Sequence, residues 1–69
     1  MDQSTLDNNF VYHSPKLGQP EKYQTLRDKS KELAELINDL CPESREKSCA
    51  FTNLEQAMFW ANASIARND

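Results

Sequence analysis

A chain of 69 residues with 38% hydrophobic and 28% charged side chains, a single Gly and a net charge of −3 makes one small domain, neither low-complexity nor disordered. A domain this short buries only about 60% of its unfolded surface, so stabilisation from beyond one copy is expected. No apolar stretch is long enough to cross a membrane, and the acidic balance argues against a general DNA or RNA binder, whose affinity comes from neutralising many phosphates.

Residues 1–9 are polar and aperiodic and read as a flexible N-terminus. They resemble neither a secretory signal nor a transit peptide, which sets a cytosolic expectation. A single folded domain is expected over residues 10–69. It opens on the aromatic cluster Phe10-Val11-Tyr12-His13, followed by Ser14-Pro15-Lys16-Leu17-Gly18, whose Pro and Gly mark an irregular arm.

Pro20 suits the first helical position and Glu21 the positive end of the helix dipole, so a long helix is predicted over 20–40. Cys41-Pro42 stops it, because the residue before proline avoids the helical region. Pro42 and Glu43 repeat the start signal, and a second helix is predicted from 42 to 67 or 68. With almost no linker between them, the two form an antiparallel helical hairpin: the fold class is all-α, with an irregular arm or short helix at the N-terminus. Cys41 and Cys49, read as lying on one helix, are about 12 Å apart in rise and are expected as free thiols. One histidine and two cysteines supply no four-ligand zinc set.

In the first helix Tyr23, Leu26, Ser30, Leu33, Ile37 and Leu40 recur at threes and fours, one stripe needing one partner. Ala50, Leu54, Ala57, Met58, Ala61 and Ile65 answer it on the second helix. Thr52, Phe59, Ala63 and Ala66 lie on roughly the opposite side, with Cys49 and Trp60 at its edge. The second helix therefore carries two apolar faces where a hairpin covers one. Self-association through Phe59, Trp60 and Ala63 is the simplest cover, giving a homo-oligomer; the alternative folds the arm back over Phe59 and Trp60 within one subunit.

Chemistry that would need a catalyst is poorly provided for. No G-x-S-x-G, H-E-x-x-H, Walker or dinucleotide motif occurs, and one glycine makes no Gly-rich phosphate loop. No enzyme activity, cofactor or metal is expected. Binding is better served, because an aromatic arm directly precedes a cationic helix start. Phe10, Tyr12 and His13 can stack on a flat ring while nearby Lys and Arg hold phosphate oxygens. On the helical wheel Lys22 and Lys29 fall at one edge of the first stripe, and Arg27 and Lys31 at the other. Each has a plainer counterpart: Tyr12 as a packed aromatic, His13 as a half-exposed loop histidine, Arg27 paired with a carboxylate, Arg67 as a cation at a helix C-terminus.

Taken together, His13-Ser14-Pro15-Lys16, Gln19-Pro20-Glu21-Lys22-Tyr23, Leu26-Arg27, Lys31-Glu32-Leu33-Ala34, Cys41-Pro42-Glu43-Ser44-Arg45-Glu46 and Trp60-Ala61-Asn62-Ala63-Ser64-Ile65-Ala66-Arg67 resemble the small phage proteins that counter CBASS, the cyclic-oligonucleotide antiphage signalling system. The resemblance covers about residues 10–69. It implies a helical hairpin assembled as a hexamer that acts in the cytoplasm of the infected bacterial host. Such a sponge sequesters cyclic dinucleotides such as cyclic GMP-AMP, and in some members cyclic trinucleotides, without cleaving them. It implies base stacking on Tyr12 and phosphate binding by Arg27, with His13 and Lys22 secondary, and a three-fold cyclic trinucleotide site using Arg67 or Lys31. A stoichiometric trap must hold its ligand at roughly nanomolar Kd, about −12 kcal/mol. A reading of another class is a helical interaction module docking a protein through its Phe59 and Trp60 face.

Overall fold

The computed structural model describes all of residues 1–69. It is all-helical, with α1 over Gln3–Phe10, α2 over Gln19–Leu40 and α3 over Arg45–Asn68; α2 and α3 form the expected hairpin.

Helix α1 lies where the sequence shows no hydrophobic period. Its support is polar and local: the Asp2 carboxylate accepts from the Thr5 amide at 2.8 Å as an N-cap, and Gln3 Nε2 donates to Asp7 Oδ1 at 2.7 Å one turn on. The Thr5 backbone hydrogen bond, joined by one from the Thr5 side chain, holds the Asp2 carboxyl below its usual pKa.

Val11 leads into the arm, which ends in a tight turn. The Gln19 amide donates to the Lys16 carbonyl at 3.0 Å, and Gly18 sits at φ 86°, ψ −16°, the left-handed position that a type II turn reserves for glycine. Helix α2 therefore starts at Gln19, one residue before Pro20.

Helix α3 begins at Arg45 rather than Pro42. Ser44 is extended and its Oγ accepts from the Lys47 amide at 3.1 Å, so a serine cap outcompetes the proline start. Cys41 accordingly lies in the turn and not on one helix with Cys49, and both thiols are free and exposed.

Between α2 and α3, half-buried Tyr23, Leu26, Ser30, Ala34 and Ile37 lie along one helix and half-buried Ala50, Leu54, Met58, Ala61 and Ile65 along the other. Ser30 Oγ donates to Met58 Sδ across this seam. Leu33, Leu40 and Ala57, expected in the stripes, are exposed. A step of 3.6 residues from Ser30 lands nearer Ala34 than Leu33, which moves the leucine off the seam.

No hydrophobic residue is fully buried; the two buried side chains are Gln19 (3% exposed) and Lys47 (6%). The molecule measures 45 × 29 × 13 Å, so it is barely thicker than one helix with its side chains. Its radius of gyration is 15.3 Å, against about 11 Å for a compact chain of this length. Domains normally enclose a core between two layers, and this hairpin supplies one.

Candidate functional site

Tyr12, His13, Lys22 and Arg67 belong to the end of the hairpin away from the turn, where α1, the arm, the start of α2 and the end of α3 meet, while Arg27 and Lys31 lie further along α2. The organising feature there is the C-terminus of α3, the negative end of its dipole, where the Ile65 carbonyl accepts from the Asp69 amide and further backbone acceptor capacity is open to donors from outside the helix. Donors arrive from three other segments. Gln19 Nε2 donates to the Ile65 carbonyl at 3.3 Å, Asn8 Nδ2 to the Arg67 carbonyl at 3.2 Å, and Lys16 Nζ to the Asp69 carbonyl at 2.9 Å.

This arrangement positions the aromatic arm. His13 Nε2 donates to the Asn8 carbonyl at 2.6 Å. Because a carbonyl only accepts, Nε2 carries the proton, and in the neutral ring Nδ1 is left as an acceptor. Tyr12, one residue before, is 84% exposed and makes no hydrogen bond through its hydroxyl, so the packed counterpart does not describe it.

The cations differ in availability. Lys22 is ion-paired with Asp69 at 2.7 Å. That ammonium is the main reason the Asp69 carboxyl lies below its ordinary pKa, with Gln19 and Lys16 adding to the effect and burial opposing it. Lys22 is thus already neutralised within one copy. Arg27 has no carboxylate partner: Nη1 donates to Gln24 Oε1 at 2.8 Å, which satisfies one donor and leaves the charge uncompensated. Lys31 is exposed and unpaired at the rim of a groove of about 380 Å³ floored by Ser30, Ala34, Leu54, Met58 and Phe59.

Arg67, half-buried, closes a second groove of about 420 Å³ with Gln56, Phe59, Trp60 and Ala63. The three residues expected at a subunit interface and the cation expected at a three-fold site therefore share one surface. Phe59 and Trp60 are 66% and 67% exposed, because the arm is drawn to the carbonyls of α3 and does not cross this face. The structure thus overturns the within-subunit cover. A third depression holds Lys22 with Glu21, Thr25, Leu26 and Ile65. Tyr12 and Arg27 line none of the three.

Reasoning from sequence missed Asn8, Gln19 and Asp69. Their roles depend on which backbone and side-chain groups the fold brings together at the end of α3, and no motif announces that. No group of three His, Cys, Asp or Glu side chains is placed to hold a metal ion, and no helix is long and apolar enough to cross a membrane.

Among known families, the model of the Acb2/Tad1 hairpin domain matches residues 1–66. No curated protein and no solved structure gives a match.

Proposed function

We propose that this chain, which belongs to the Acb2/Tad1 hairpin-domain family, works as a sponge that binds cyclic oligonucleotide messengers, leaves them intact and so keeps CBASS effectors from being activated. The family match over residues 1–66 is the observation that carries this reading. The ligands are cyclic dinucleotides such as cyclic GMP-AMP at one class of site and cyclic trinucleotides at another. No catalytic step is required: the mechanism is mass action, with a compact cyclic anion withdrawn from solution by stacking and charge.

The protein acts as a homo-oligomer, a hexamer, in the cytoplasm of the infected host. Three observations support assembly. The slab is 13 Å thick, no apolar side chain in it is fully buried, and Phe59, Trp60 and Ala63 lie together on an uncovered groove. At a two-fold seam, two copies offer Tyr12 and Arg27 twice to a ligand that carries two bases and two phosphates. Arg27 suits this role because its charge is uncompensated. Lys22 serves it once Asp69 gives way, and His13 offers Nδ1. The cyclic trinucleotide site draws on Arg67, with Lys31 as the second cation, around a three-fold axis.

The deciding experiment incubates the purified protein with cyclic GMP-AMP, isolates the complex by gel filtration, denatures it and chromatographs the released nucleotide. Uptake of intact ligand by an oligomer is expected. Absence of uptake, or recovery of a cleaved product, refutes the sponge. The open groove of Phe59 and Trp60 favours one second reading, a module that docks a protein partner; a monomer in solution that takes up no nucleotide would select it.

A further inference from the structure

We infer that Gln19 is a positioning residue, the latch that holds the Tyr12-bearing arm on the C-terminal turn of α3. The inference rests on the reading of Tyr12 as a ligand contact and adds to it the residue that determines where Tyr12 stands.

Gln19 is the most buried side chain in the protein, although it is polar and opens a helix. A buried amide is costly unless its donor and acceptor are both used, and here they are used in opposite directions. Oε1 accepts from the Lys16 backbone amide at 3.0 Å, gripping the arm just before the turn. Nε2 donates to the Ile65 carbonyl at 3.3 Å, gripping α3. The side chain thus bridges two segments that are 46 residues apart from Gln19 to Ile65 and that no apolar core joins. Asn8 and Lys16 add further ties, but both lie on or before the arm and move with it. Lys22 also ties α2, the helix that carries Arg27, to the end of α3, but only the Gln19 side chain grips the arm as well, so it governs the spacing between the aromatic and the cation.

The charged groups around the latch are Asp69, Lys16 and Lys22. Two substitutions separate positioning from general stability. Gln19→Glu keeps the acceptor for the Lys16 amide, but an ionised carboxylate faces the Ile65 carbonyl with nothing to donate; protonation restores the donor. Gln19→Leu fills the space and makes neither bond at any pH. Titration calorimetry with cyclic GMP-AMP, each variant compared with wild type at the same pH, is expected to show binding weakened about ten- to a hundred-fold for both at neutral pH, through the stranded Lys16 amide in the Leu variant and through a buried carboxylate set against the Ile65 carbonyl in the Glu variant. The Glu variant is expected to regain affinity relative to wild type as the pH falls toward about 5, approaching the ordinary glutamate pKa. The Leu variant should not.

Wild-type affinity in the Glu variant at neutral pH overturns the inference. So does an equal loss in both variants that ignores pH and follows the melting temperature. If wild type itself takes up no cyclic dinucleotide, the proposed function falls and the latch is judged alone by backbone 15N relaxation of residues 11–17. Arm order unchanged in Gln19→Leu would then refute it, and a loosened arm would uphold it.

Discussion

The side-chain amide of Asn8 donates to the backbone carbonyl of Arg67 at 3.2 Å across 59 positions of sequence. His13 in turn donates to the Asn8 carbonyl, which makes α1 a strut between the arm and the end of α3. Asn8→Ala is expected to cost about 1 kcal/mol in stability. Amide exchange measured by mass spectrometry should rise through Gln3–Phe10 and the arm. Exchange unchanged from wild type would mean that α1 stands on its Asp2 cap alone.

Tyr12→Ala removes a stacking surface worth ~1–3 kcal/mol per base. Arg27→Ala removes a charge-assisted contact of ~1.5–3 kcal/mol. Neither side chain lies on the Phe59, Trp60 and Ala63 groove through which assembly is proposed, so neither loss should disturb the oligomer. Calorimetry with cyclic GMP-AMP checks the affinity and sedimentation velocity checks the oligomer. Undiminished affinity in both variants would move the site elsewhere.

Phe59→Asp places a carboxylate in the middle of the Phe59, Trp60 and Ala63 surface. Burying that charge against an apolar partner is unfavourable, so the expected outcome is a smaller species in sedimentation and, with it, loss of any pocket shared between copies. A fully assembled Phe59→Asp protein would refute this interface.

Lys47 closes the opposite end of the hairpin. Its ammonium is buried, donating to the Asn38 carbonyl at 3.0 Å and to Glu43 at 2.6 Å. Asn38 lies in the last turn of α2, which has no cation of its own, so Lys47 supplies both the missing donor and a charge that suits the helix dipole. Lys47→Ala strands that carbonyl and is expected to destabilise by about 1–3 kcal/mol in urea unfolding. A midpoint equal to wild type would show the turn to be held by Ser44 and Pro42 alone.

Asp2 and Asp69 have folded pKa values lowered below 3.8, by the Thr5 hydrogen bonds and by Lys22 respectively. A depressed carboxyl stabilises the fold fully above its unfolded pKa, and the contribution disappears as pH drops through the folded value. The affected window therefore lies below about pH 4. In it α1 and the end of α3 should loosen before the α2–α3 seam, seen as early loss of the Thr5 and Asp69 amide signals. Asp2→Asn should remove the acid step at Thr5. Both carboxylates are exposed, so the effect is local.

The two long helices could be read directly, because the period of Tyr23, Leu26, Ser30 and Ile37, the Pro20 start and the Cys41-Pro42 stop are local signals that need no knowledge of the rest of the chain. The family was legible for a related reason: its marks are runs of adjacent residues, and the Acb2/Tad1 match over residues 1–66 covers all of them but Arg67. Two apolar faces on one helix could also be counted from the sequence. What it could not reveal was α1, held by Asp2 and Gln3 and not by a greasy stripe, or the choice of Ser44 over Pro42 as the start of α3.

The arm's course depended on tertiary structure entirely. Periodicity allowed it to lie over Phe59 and Trp60. Backbone oxygens of Ile65, Arg67 and Asp69 accept from Gln19, Asn8 and Lys16 and hold it at the end of α3, where these acceptors come together only once α3 has formed. Composition and spacing determine which helices form and which of their faces are apolar. Where the connecting segments rest is decided by backbone groups that carry no side-chain signature, and the fold alone brings them within reach of donors from other segments.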